Sequence, residues 1–336
     1  MMKIPVYIFS YNRLQYLKNA INSVEKFYPY STIYIVDDGS DDADMLEFIQ
    51  QNTTMYNFIF PNSSVCGDRG GLYANLNYCV HHAQQHEYEH VLFMFDDIQI
   101  VRKVNETELI NDINFLFENP KKMYNIVPAF FPITEKYIGI DAALDVCDNY
   151  YVLRDGFDIP TQRFNEPGVY SIKNFISLME TFENSERQNQ KKCKERNLFS
   201  PHSCFPIGSR LPFQEYTRRG RDIKAITFLN KVSQRGFYPF EDMPSTIIDM
   251  LFNRTKDKLA YAEKWLRAPG VPQTIWSFWG ESFGVELLGG DDEKELAEKL
   301  FWIENNVEDH STADKMIIDL CETYLEDKKN SLYIYN

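Results

Sequence analysis

The chain has 336 residues, 44% hydrophobic, 15% aromatic and 25% charged, with a formal net charge of −14. That length calls for one large domain or two smaller ones, and the acidic balance argues against a protein coated in nucleic acid or anionic lipid. No stretch of 18 or more apolar residues suggests a membrane span, and six scattered cysteines without a Cys-x-x-Cys pair fit reduced thiols in the cytoplasm.

Met1-Met2-Lys3-Ile4-Pro5 lacks the charged head, apolar run and cleavage site of a signal peptide, and Val6-Tyr7-Ile8-Phe9 reads as a first strand. Leu14, Leu17, Ile21, Val24 and Phe27 then recur at helical spacing, the apolar face of one helix. Ile33-Tyr34-Ile35-Val36 is a second strand, ending in Asp37-Asp38-Gly39-Ser40. A short helix around Met45–Ile49, a strand at Phe58-Ile59-Phe60 and a helix from Gly71 to Gln85 follow. Val91-Leu92-Phe93-Met94-Phe95 is apolar throughout, as a strand covered on both faces must be. Strand–helix alternation of this kind predicts an α/β fold with a mostly parallel sheet and helices on both faces. Ligands of such sheets bind beyond the strand carboxyl ends, where both acidic motifs fall.

A further strand is expected over Tyr124–Phe131, and the pattern then becomes irregular across residues 140–290. Near the end, Asp291 and Asp292 can cap a helix carrying Leu296, Leu300 and Phe301. Ser311 with Asp314 resembles a capping box before Met316, Ile317, Leu320 and Tyr324. The expected organisation is a nucleotide-binding half over 1–135, an irregular acceptor-binding half over 136–285, and a helical cap over 286–336.

Asp96 and Asp97 stand side by side at the end of the buried strand. Two such carboxylates repel each other and call for a cation. A hard divalent ion uses one or two carboxylates and lets substrate phosphates complete its shell. Asp37-Asp38-Gly39-Ser40 is good turn chemistry by itself, and its place at the end of the neighbouring strand opens a second use, hydrogen bonding to a base or ribose.

Ser10-Tyr11-Asn12-Arg13, Asp37-Asp38-Gly39-Ser40 and Phe95-Asp96-Asp97-Ile98, in that order, resemble a family 2 glycosyltransferase of the GT-A fold. The segment from Asn62 through Gly67-Asp68-Arg69-Gly70-Gly71 to Asn77 is similar to the family's Asn/Gly/Arg stretch. The likeness covers about the first 130 residues. It implies that Tyr11 lies against the base, Asp38 at the uracil or ribose end, Arg69 near the nucleotide, Asp96 near the ribose and Asp97 on the metal. Ser10, Arg13 and Asp37 complete the donor-binding set. Phe95 stands where the family often has an acid.

The resemblance implies a metal-dependent inverting transferase. It would move a sugar from a nucleoside diphosphate, UDP first, to a hydroxyl acceptor on a glycan or lipid-linked saccharide, with Mn²⁺ or Mg²⁺. Inversion requires a general base, placed by the likeness within an acidic pair heading a helix. Asp242 is that candidate, with Glu241 next, before a helix expected from Ser245; capping that helix is the other use of the pair. Asp155, Asp158, Glu166 and Glu215 are rivals. His310 is a candidate metal ligand from the helical cap.

Several features stay open. His82, His86 and His90 share a helical spacing but sit among polar residues, which favours a solvated face over a metal site. Trp276, Phe278 and Trp279 suit either an aromatic lid or a core. Arg218, Arg219 and Arg221 can clamp phosphate or stand in solvent. Residues 187–235 hold 12 Lys/Arg against 3 Asp/Glu. This basic run is either a solvated surface or an anionic-acceptor site. It leaves room for a DNA acceptor, as in phage enzymes that glycosylate hydroxymethylated pyrimidines. A nucleotidyltransferase would need a Gly-rich loop after the first strand, which Ser10-Tyr11-Asn12-Arg13 is not, and an inactive nucleotide-sugar-binding protein is the remaining alternative.

Overall fold

A computed structural model describes residues 4–61, 71–131, 140–216, 220–232, 235–269, 291–307 and 309–334. The chain opens β1 (Val6–Ser10), α1 (Leu14–Phe27), β2 (Ile33–Asp37), α2 (Ala43–Asn52), β3 (Asn57–Ile59), α3 (Leu72–Gln85) and β4 (His90–Phe95). It continues through β5 (Ile98–Ile100), α4 (Glu106–Glu118), β6 (Asn125–Ile126), β7 (Leu144–Cys147), β8 (Tyr150–Leu153), α5 (Pro160–Arg163), β9 (Gly168–Ser171) and α6 (Ile172–Leu178). The remainder forms α7 (Glu186–Glu195), β10 (His202–Ser203), β11 (Gly208–Arg210), α8 (Ile223–Val232), α9 (Ser245–Asn253), α10 (Ala262–Trp265), α11 (Asp291–Asn306) and α12 (His310–Ile334).

The main sheet has the order β3-β2-β1-β4-β9-β6. The first four strands run parallel, and β9 is antiparallel to both its neighbours. Alternation along β1 explains the two-sided core. Tyr7 and Phe9 pack on one face with Leu76, Cys79 and Val80 of α3 and Phe175 of α6. Val6 and Ile8 pack on the other with Leu17, Ile21 and Val24 of α1 and Leu109 of α4. Each fully buried Val, Leu, Ile or Phe contributes about 1.5–3 kcal/mol, so these two layers hold the sheet rigid beneath its loops. The expected mostly parallel sheet with helices on both faces is present.

The chain leaves β1 through α1 to β2 and β3, whereas β4 lies on the opposite side of β1. The topological switch point is therefore between β1 and β4, and the crevice beyond their carboxyl ends is where such sheets take ligands.

Two compact units emerge. One comprises Met1–Pro132, Tyr137–Leu211 and Pro239–Arg267; the other comprises Ile133–Lys136, Pro212–Tyr238 and Ala268–Asn336. This differs from the division at 135 and 285, because β9 inserts into the main sheet between β4 and β6. Sequence periodicity cannot reveal a strand that returns from far along the chain. In the second unit, α8, α11 and α12 bury Leu229, Leu300, Ile303 and Ile317 together. Arg221 lies buried there, paired with Glu304 at 2.9 Å and with Asp314.

Two local expectations change. The strand over Tyr124–Phe131 shortens to β6, followed by isolated bridges from Val127, Ala129 and Phe131. The cap of α12 is Asp309, which accepts from the Thr312 backbone N–H at 2.9 Å. Asp314 instead accepts from Arg221 and from the Asp222 backbone N–H, so it is consumed by packing rather than by a capping box.

Candidate active site at the strand carboxyl ends

β1 and β4 end side by side, and their last residues form the centre of the site. The Ser10 hydroxyl donates to Asp96 Oδ2 at 3.0 Å, and the Asp96 backbone N–H donates to the Phe9 carbonyl at 2.9 Å. Asp96 and Asp97 are both buried. Burial pushes the Asp96 carboxyl above its ordinary range; Arg13 opposes this, the neighbouring Asp97 adds to it, and hydrogen bonds from Ser10 and the Tyr11 backbone oppose it. Arg13 reaches both carboxylates, at 3.7 Å from Asp96 and 3.8 Å from Asp97. Its guanidinium also lies over the Tyr16 ring of α1.

A second arginine approaches from β11. Arg210 pairs with Ile98 of β5 in an antiparallel ladder, and the next backbone N–H, of Leu211, donates to the Asp97 carbonyl at 2.7 Å. Backbone register thus places Arg210 Nε 3.9 Å from Asp97 Oδ1. Gly208 makes this ladder possible, since a Cβ there would stand 2.8 Å from the Gln99 carbonyl oxygen. The sequence analysis left Arg210 among the basic residues of 187–235; its neighbour Leu211 begins no recognisable motif, and only strand pairing reveals its place.

The loops after β1 and β2 are knotted together. Asp37, buried, accepts from the Gly39 and Ser40 backbone N–H groups at 3.0 and 2.8 Å and from the Ser40 hydroxyl at 2.6 Å. Ser40 Oγ accepts from the Asn12 backbone N–H at 2.9 Å. Asp37 therefore shapes the loop, the turn chemistry its sequence allows. Asp38, partly exposed, accepts from the Gly71 backbone N–H and the Asn75 side chain, both at 2.8 Å. It ties down the start of α3, and its remaining lone pairs face the crevice side of the same loop pair. Tyr11 lies on the first of these loops, half-buried. Arg69 lies outside the described residues, as do Arg218, Arg219, Trp276, Phe278 and Trp279.

The structure does not bring Asp242 and Glu241 to the acidic pair. Phe240 is held by Gln99, which also bonds Asn19 in mid-α1, and the Met243 N–H donates to the Val101 carbonyl. The segment thus runs along α1 away from its start, and Asp242 pairs with Lys26 in the last helical turn. Lys26 is about 20 Å along the helix axis from Arg13 at 1.5 Å per residue. Glu241 faces Arg267 at 3.7 Å. Neither caps α9, whose N-cap is Pro244. Spacing along the chain suggested the pair; strand pairing with β5 carries it to the wrong end of the helix.

Glu166 is the rival that geometry favours. It precedes β9, whose Gly168 pairs with Phe93 of β4, so it stands at the β4 carboxyl end. Tyr73 of α3 donates to its Oε1 at 2.6 Å. Burial pushes its carboxyl above the ordinary range, while the Tyr73 hydrogen bond and the positive charge of Arg210 oppose that rise. Of the other rivals, Asp158 is engaged by Arg163 at 3.0 Å and by Lys194, Asp155 is exposed, and Glu215 belongs to the second unit. His310 opens α12 in the second unit, whereas Asp97 is in the first.

Asp97 Oδ1 is buried and has no hydrogen-bond partner, which fits a divalent cation better than it fits a satisfied structural acid. Among the described residues no third His, Cys, Asp or Glu joins the pair. The donor set is then the pair itself, with phosphate oxygens left to complete it. His82 and His86 belong elsewhere: His82 Nδ1 meets the Tyr7 hydroxyl at 2.8 Å and the two imidazoles stack at 4.0 Å. They form a packed cluster on the side of α3 rather than the solvated face their polar neighbours suggest. In the basic run, Lys191, Lys192, Lys194, Arg196, Arg210, Arg221 and Lys224 each face a carboxylate. Much of that positive charge is thereby neutralised inside the fold.

Residues 6–105 match the sequence profile of glycosyl transferase family 2. No curated protein matches the chain in sequence. Among solved structures, S. aureus TarS aligns at 17% identity and TM-score 0.40, over 75% of this chain and 42% of that one. The TarS 1–349 structure in complex with UDP aligns at 14% identity and TM-score 0.40, over 98% and 92%. The mannosyltransferase PcManGT from Pyrobaculum calidifontis, in complex with GDP-Man and Mn2+, aligns at 11% identity and TM-score 0.40, over 74% and 68%. The chain thus spans less than half of the first TarS chain. No described helix is long and apolar enough to cross a membrane.

Proposed function

Residues 6–105 are a glycosyl transferase family 2 segment, and from that premise we propose that this chain transfers a sugar, with inversion, from a nucleoside-diphosphate donor to a hydroxyl acceptor, aided by Mn²⁺ or Mg²⁺. The carrying observation is the acidic pair at the switch point, with Ser10 and Arg13 on Asp96 and an unpartnered Oδ1 on Asp97. Asp97 would hold the ion, and the ion would neutralise the diphosphate as it leaves. A uracil nucleotide is the first donor to try, with Tyr11 and Asp38 at its base and ribose end.

The chain's own groups supply the rest. Arg13 and Arg210 set positive charge beside the pair, where a diphosphate gathers negative charge during transfer. Glu166 is the general base: its raised proton affinity and its place beyond β4 suit removal of the acceptor hydroxyl's proton during a single displacement. A saccharide acceptor is preferred to DNA because so much of the basic run is internally paired. The test is hydrolysis of a panel of nucleotide sugars with Mn²⁺, by wild type and Asp97→Ala. Turnover in the wild type that the variant loses supports the reading; a wild type that neither binds nor cleaves any member of the panel refutes it.

A further inference from the structure

Two positive groups want the same oxygen. Asp97 Oδ1 is the atom the divalent ion would take, and Arg210 Nε already stands 3.9 Å from it. That separation is too long for a hydrogen bond, so the arginine compensates the carboxylate's charge without being locked to it. The two side chains differ in freedom: that of Asp97 is 11% exposed and that of Arg210 50%. The backbone of Arg210 is fixed by the β5–β11 ladder, leaving the guanidinium as the movable part. It has other stations within reach, since it lies over the Phe95 ring at 5.9 Å and its charge is felt by Glu166.

We propose that Arg210 is the resting counter-ion of Asp97, yields Oδ1 to the divalent cation when the donor diphosphate binds, and thereby makes metal and nucleotide binding interdependent. This rests on the reading of the site as a metal-assisted nucleotide-sugar site. The physical reason is charge balance. A divalent ion entering alone meets the repulsion of a guanidinium a few ångströms away. A diphosphate adds negative charge that attracts both cations, so the guanidinium can turn to phosphate and Oδ1 is released. Phe95 contributes by not being an acid: an extra carboxylate there would hold Arg210 or the ion permanently, whereas the ring face gives only a weak cation–π rest. Some interdependence arises anyway from direct contact between ion and phosphate. The share due to Arg210 is what its removal takes away, and linkage makes that share equal in both directions.

The experiment is Mn²⁺ binding, read by loss of the free-ion electron paramagnetic resonance signal, with and without UDP, on wild type, Arg210→Ala, Arg210→Lys and Asp97→Ala. Arg210→Ala is expected to bind Mn²⁺ alone roughly tenfold more tightly than wild type, and the enhancement of Mn²⁺ binding by UDP is expected to shrink by a similar factor, within the usual range of site coupling. Arg210→Lys keeps the charge and should retain much of the wild-type enhancement. Asp97→Ala should lose Mn²⁺ in all conditions. Unchanged or weaker Mn²⁺ binding by Arg210→Ala, with wild-type enhancement intact, would overturn the inference. So would wild-type UDP binding with no Mn²⁺ bound at all, although the transferase reading would survive it. A wild type that binds no nucleotide under any condition removes the reading itself.

Discussion

Replacing Glu166 by Gln separates the two candidate bases. Gln is isosteric, and its carbonyl oxygen can still accept from Tyr73, which donates to Oε1 at 2.6 Å in the wild type. What it loses is the capacity to take a proton. A positioned general base is worth about 10²–10⁴ in rate, so Glu166→Gln is expected to raise the barrier by about 3 to 5 kcal/mol. Folding should not suffer, because burial disfavours the charged carboxylate and Gln removes that burden. The assay is donor hydrolysis against pH, with water in the acceptor's place, beside a thermal melt. The wild-type rate should rise with pH as Glu166 loses its proton, with the midpoint above the ordinary carboxyl range. Tyr73→Phe removes a donor that favours the charged form, so that midpoint should move further up. Asp242→Asn, at the Lys26 end of α1, should keep nearly the wild-type rate. A Glu166→Gln enzyme within about threefold of wild type, beside an Asp242→Asn enzyme slowed at least a hundredfold, would refute Glu166 as the base.

Two further outcomes test the framework around the site. Gly208→Ala would put a Cβ 2.8 Å from the Gln99 carbonyl oxygen; overpacking against backbone should cost about 1–3 kcal/mol in urea unfolding and weaken UDP binding as β11 and Arg210 shift. Wild-type stability and affinity would show that the ladder tolerates the methyl. Asp112 is buried and its carboxyl is pushed up to about 7, chiefly by burial, with the Tyr150 hydroxyl at 2.7 Å opposing the rise. Between about pH 4 and about pH 7 the folded protein therefore holds a proton that the unfolded chain has lost, and stability falls as pH rises through that window, by at most about 1.4 kcal/mol per pH unit. Asp112→Asn should flatten that fall in a denaturation series; an unchanged slope would contradict the burial effect.

The alternation of apolar residues determined β1, β2, β4 and their intervening helices, because strand and helix periodicities are local properties of consecutive residues. The acidic pair was legible for the same reason: Asp96 and Asp97 follow an apolar run that can only be a buried strand. The roles of Asp37 and Asp38 were half legible. Turn chemistry foretold the Asp37 loop, but nothing local foretold that Asp38 would hold Gly71 and Asn75 at the head of α3. Tertiary structure alone decided the rest. β9 joins the sheet beside β4 from more than seventy residues downstream and delivers Glu166; β11 pairs with β5 from more than a hundred and delivers Arg210. Asp242, which spacing recommended, is carried off by that same β5 neighbourhood to Lys26. Strand pairing is a contact between distant segments whose own residues carry no mark of the partner. The acidic pair was therefore written in the sequence, whereas the charges that balance it and the group that would accept the proton were chosen by the sheet.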